Sequence, residues 1–203
     1  MKLLNLCLFL FVIFGCSHSP PIEVPLTKDI NIVEINPNKW TTLTRKDLEQ
    51  LFKVYDLSPI LFTKEIRIES RVIPHSHPVL TLNTRYAEEP FKLLSMFIHE
   101  QLHWWLESQS AAFLQAKEEL KKLFPVLPDS GLAKDAHSTY LHLSLCTLEY
   151  ELLVHYLGTK QANLILKDLI YKDKIYPWIY KEVYKNFKDL KTINEKYGLR
   201  PAF

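Results

Sequence analysis

The feature that most constrains this chain is a helix that must be both core and site. Glu88-Glu89-Pro90 is a strong helix start. The two acids face the positive end of the helix dipole, and proline suits the first helical position. The helix is predicted over residues 91–109, with Leu94, Ile98, Leu102 and Trp105 on one apolar face. Within it stands His99-Glu100-Gln101-Leu102-His103. On a helix, residues four apart lie one above the other, so His99 and His103 can both reach one Zn²⁺, at about 2.0–2.1 Å each. Glu100 is turned about 100° from His99. Its carboxylate is therefore placed to meet a water on the metal, where a general base is needed.

The start of the chain reads differently. Lys2 precedes a nearly continuous apolar run over residues 3–14. A membrane span needs about 20 residues, so a cleaved export signal over residues 1–15 is expected. Ile13-Phe14-Gly15-Cys16 resembles the bacterial lipobox, which implies lipid on Cys16. Residues 16–28, polar and proline-rich, read as a tether. Ser17 in place of an aspartate implies, by the same resemblance, the outer membrane of a Gram-negative envelope. The three cysteines are Cys7, Cys16 and Cys146. Cys7 would leave with the signal and Cys16 would carry lipid, so the mature fold is expected to rest on its core without an intrachain disulfide.

Residues 29–203 read as one domain. A strand is expected over residues 29–35, a helix from a Thr44–Asp47 capping box to about Tyr55, and two strands over 60–70 and 79–84. Pro74 to Pro78 connect those two strands. Downstream, helices are expected over 111–124, 140–157, 159–171 and 178–197, with Ser138 or Thr139 capping the second and Gly158 closing it. The predicted fold class is α+β, mostly helical, with a small N-terminal sheet before the His99 helix. Lys+Arg 25 against Asp+Glu 23 gives a net charge of +2, which argues against a nucleic-acid partner. No glycine-rich nucleotide fingerprint is present.

The H-E-x-x-H helix, a preceding strand candidate and a long later helix resemble the zincin metallopeptidases. That resemblance implies a zincin-like fold, with residues 79–84 as a strand lining a substrate cleft. The metzincin extension would need glycine and histidine where Leu106 and Gln109 stand, so that subgroup is excluded. The gluzincin pattern takes its third zinc ligand, a glutamate, from a later helix. In the 140–157 helix His142 and Glu149 are seven residues apart, about 10.5 Å along the axis, so both cannot easily bind one ion. By resemblance to gluzincins, Glu149 would be the third ligand and His142 would hold the oxyanion or the substrate. The reverse assignment, His142 on the metal and Glu149 behind it, stays open, as does His137. The gluzincin E-x-x-x-D pattern is not met, since Leu153 follows Glu149 by four. Asp135 or Glu151 would have to supply the supporting carboxylate.

Other candidates read more plainly. His75 and His77 belong to a loop, His155 to a helix end and His18 to the tether. Cys146 sits in an apolar helix without cationic support and is not expected to be a nucleophile. Tyr140, Tyr176 and Tyr180 are read as core or surface aromatics, with an oxyanion role open to them; Trp105 is read as core and Trp104 as a cleft wall. The lysine-rich carboxyl end is broken by acids and reads as a solvated helix face. The expectation is a zinc-dependent hydrolase, a metallopeptidase acting on a peptide or protein, lipid-anchored in a bacterial envelope. The alternative is a non-catalytic envelope lipoprotein with a structural zinc site or a partner-binding role. A closed four-ligand site favours the alternative, and three ligands beside an open cleft favour the enzyme.

Overall fold

A computed structural model describes residues 29–201. The expected signal, Cys16 and the tether lie outside the described residues. The elements are β1 (Asn31–Ile35), α1 (Lys39–Val54), a short 3₁₀ turn (Ser58–Ile60), β2 (Glu65–Glu69), β3 (Leu80–Leu82), α2 (Pro90–Ser108), α3 (Ser110–Leu123), α4 (Ala136–Lys172) and α5 (Pro177–Lys196). The fold is α+β and mostly helical, with a small sheet ahead of α2.

The three strands are parallel in the order β1-β2-β3, with Ile32 beside Ile66 and Ile66 beside Leu80. Ile66 and Ile68 point inward from β2 while Glu65 and Arg67 are exposed, the alternation of a strand with one wet face. β3 is buried along its whole length. Its outer edge is engaged at Thr81, which exchanges backbone hydrogen bonds with His75 at 2.8 and 3.1 Å. A substrate strand therefore finds no open backbone at Thr81.

α1 begins at Lys39, earlier than the Thr44 signal predicts, because Asn38 caps it. The Asn38 side chain accepts from Trp40 N and Thr41 N, and Thr41 Oγ1 accepts in return from Asn38 N at 2.8 Å. Thr44 instead donates to Trp40 O inside the helix. The helices expected over 140–157 and 159–171 form one run, α4, broken at Gly158, where φ 75° suits glycine.

α2 is buried over most of its length: Leu93, Leu94, Phe97, Ile98 and Leu102 are fully enclosed. It packs on the sheet side against α1, where Phe97 meets Phe52 edge-on at 5.4 Å, and on its other side against α4. Gln101 locks this helix in place. Its Oε1 accepts from Phe62 N and Thr63 N at 2.9 and 3.0 Å, and its Nε2 donates to Thr63 O at 2.8 Å. Gln101→Leu strands those backbone groups, at about 1–3 kcal/mol each. The urea midpoint is expected to fall accordingly, and an unchanged midpoint contradicts the role given to Gln101. Among the described residues, no helix is long and apolar enough to cross a membrane.

Candidate metal centre

His99 and His103 leave α2 from one face, and His142 meets them from α4. One ligand atom from each lies within 4.8 Å of the other two. The ring centroids are 5.2, 5.6 and 5.0 Å apart, a nearly equal triangle.

Hydrogen bonds fix the ring tautomers. His99 Nδ1 lies 2.9 Å from Glu149 Oε2, and a carboxylate oxygen only accepts, so Nδ1 carries the proton. His142 Nδ1 lies 2.7 Å from Ser138 O, a carbonyl, and so is likewise a donor. Both rings then keep a bare Nε2, the form that ligates a metal. His142 Nε2 is buried and has no hydrogen-bond partner among the described residues. A buried lone pair without a partner costs about 1–3 kcal/mol, so its presence beside two further imidazoles calls for a ligand.

The electrostatics agree for two of the three rings. Burial, with the nearby His99 charge, holds His142 down to about 3, although the Ser138 hydrogen bond pulls the other way. Burial, then His99, His142 and His77, hold His103 down to about 2. Both rings are therefore neutral at ordinary pH. Burial also works to lower His99, but the Glu149 hydrogen bond and charge outweigh it, and His99 is raised.

Glu149 does not join His99 and His103 as the gluzincin resemblance implies. Its carboxylate accepts from Ser95 Oγ at 2.5 Å, His99 Nδ1 at 2.9 Å and Tyr180 OH at 3.3 Å. The reason is the direction of α4. His142 lies level with His99 and His103, while Glu149, two turns on, lies level with Ser95 and the far side of the His99 ring. The reverse pairing, left open by the sequence, is the one the structure brings together. Glu149 also supplies the carboxylate sought at Asp135 or Glu151. Asp135 caps α4 through Ser138 N at 2.7 Å, and Glu151 pairs with Lys191.

His99, Cys146 and Glu149 form a second close group, fully buried. Burial, reinforced by Glu149, raises the Cys146 thiol well above its usual range, so it stays protonated. With His99 Nδ1 already donating to Glu149, this group is a hydrogen-bonded support and not a second cation site.

A cavity of about 280 Å³ opens over the three histidines. Glu100 lines it beside them, only 6% exposed. Burial raises the Glu100 carboxyl, against the pull of His99, which moves it toward the range of a working base. Tyr176 also lines the cavity and stacks on His142 at 4.2 Å and on His99 at 5.9 Å. Burial raises its hydroxyl far above the usual range, so it remains an O–H donor.

The remaining candidates fall outside the triangle. Trp104 faces the loop of residues 73–77 that forms one cavity wall. It donates to Ser76 O at 2.9 Å and stacks on His77 at 4.1 Å. His77 pairs with Glu107 at 2.8 Å. Trp105 packs on the core near Phe62, Tyr140 OH donates to Phe124 O, and His137 meets Phe113 edge-on. Ser95 was not singled out by the sequence, and Ser138 was read only as a helix cap, a place that Asp135 takes because α4 starts at Ala136. Each serine stands four residues before a histidine, and that spacing is the signal that finds them.

Comparison of the chain with protein families, curated proteins and solved structures finds no match.

Proposed function

We propose that this chain is a zinc-dependent hydrolase, a metallopeptidase with His99, His103 and His142 as the metal ligands. One observation carries the reading: the unpartnered, buried His142 Nε2 converging with the H-E-x-x-H pair. The donors fit zinc, since three imidazoles are an established catalytic ligand set that leaves a fourth position open, and hydrogen bonds fix the tautomers of His99 and His142. A zinc ion held there supplies a Lewis acid that lowers the pKa of a bound water and polarises a carbonyl.

The chain's own residues do the rest. Glu149, itself held by Ser95 and Tyr180, orients the His99 ring. Glu100 takes a proton inside the cavity and returns it to the leaving amine. Tyr176, still protonated, is a donor for developing negative charge on the substrate oxygen. Three donors beside a cavity support the enzyme over a closed structural site, since Glu149 is spent on the far side of His99. The direct test is turnover of a broad peptide library by wild type and by Glu100→Gln.

We also propose that the protein is anchored to a bacterial envelope by lipid on Cys16, which the lipobox resemblance supports. Labelling with a fatty-acid analogue in a bacterial host is expected to tag wild type and not Cys16→Ser. Equal tagging of both contradicts the anchor.

A further inference from the structure

The metal cavity adjoins a second recess of about 500 Å³, and Ile73, Arg85, Tyr86, Asp173 and Ile175 line both. The charges in these walls are mostly committed. Lys92 bridges Glu89 and Asp168, and Lys172 pairs with Asp168. Asp173 accepts from Ile175 N and Tyr176 N at 2.7 Å each, which closes the turn into α5.

Arg85 is different. Among the described residues its guanidinium has no ion pair within 4.0 Å; it rests on the ring of Tyr86 at 4.7 Å and acts on the Glu100 carboxylate only through space. Its backbone is held firmly. Arg85 N donates to Asn83 Oδ1 at 3.1 Å, and Asn83 Nδ2 donates to Val72 O at 2.8 Å. The result is a cation fixed at its root, resting on an aromatic ring, between the metal cavity and the recess beyond. A guanidinium seated over a ring keeps its in-plane N–H donors free, and that planar fork matches a carboxylate with two parallel hydrogen bonds.

We propose that Arg85 selects substrates that present a carboxylate where the metal cavity meets this recess, either a peptide's C-terminal carboxylate or an acidic side chain. As a statement about substrates this rests on the hydrolase reading; the binding step it requires does not. One charge-assisted bidentate contact at a partly open rim is worth about 10–100-fold in affinity.

The test is calorimetric titration of the full chain, both zinc-loaded and stripped of metal, with three probes. They are acetyl-trialanine, its C-terminal amide, and that amide with glutamate replacing the middle alanine. Wild type is expected to bind the free acid about 10–100-fold more tightly than the plain amide, in the stripped protein as well as the loaded one. In Arg85→Gln the acid and the amide are expected to bind alike. Tight binding of the glutamate amide assigns the recognised group to a side chain, and weak binding assigns it to the chain end; either supports carboxylate selection. Equal binding of acid and amide by wild type, no binding of any probe, or a preference that persists in Arg85→Gln overturns the proposal. If Glu100→Gln turns over peptides as wild type does while the stripped protein still prefers the acid, the hydrolase mechanism fails and carboxylate recognition stands.

Discussion

Glu100→Gln is expected to lower peptide turnover by about 10²–10⁴-fold, the usual cost of removing a general base. The substitution keeps the size and polarity of the side chain and removes only its ability to take a proton. Glu100 is rotated away from the His99–His103 line, so the metal ligands are untouched. Burial raises the Glu100 carboxyl, so the neutral amide replaces a group whose charge is already costly there. Metal content and melting temperature should therefore stay near wild type while turnover collapses. The assay is cleavage of a peptide library together with metal analysis of the same samples. Unaltered cleavage by Glu100→Gln refutes the mechanism.

His142→Leu is expected to have the second large effect, and a two-sided one. It removes one of three ligands, so metal binding should be lost. It also removes a buried Nε2 that has no hydrogen-bond partner among the described residues. In the metal-free protein that atom costs about 1–3 kcal/mol, so the variant should be at least as resistant to urea as metal-free wild type. A site kept for binding, at a cost to stability, gives this opposed pair of results. Glu149→Gln should behave differently. It weakens the hold on His99 without removing a ligand, and supporting partners of this kind are worth about 10–100-fold in metal affinity.

The His99 helix was legible because several local signals agree on it. Acids and Pro90 start it, leucines and Ile98 stripe one face, and two histidines four apart share another. The start of α1 was misplaced because two capping signals compete within a few residues. Asn38 with Thr41 closes both halves of a capping box, while Thr44 spends its hydroxyl on the helix backbone. The third ligand was half legible. Helical rise alone shows that His142 and Glu149 cannot share one ion easily. Which of them faces the pair depends on how α4 crosses α2, and that is set by packing between distant segments. Residues 140–153 of α4 are buried almost without interruption, so they offer no polar stripe from which an inward face could be read. Tyr176 was named beside Tyr140 and Tyr180 but not chosen from them, for the same reason: it reaches His142 only because α5 folds back along α4.

Metal content per chain, measured on wild type and on His142→Leu purified side by side, tests the central claim most directly. The account predicts about one zinc per chain in wild type and none retained by His142→Leu after the same dialysis. Equal zinc in the two proteins, or none in wild type after zinc is supplied, contradicts a centre built from His99, His103 and His142.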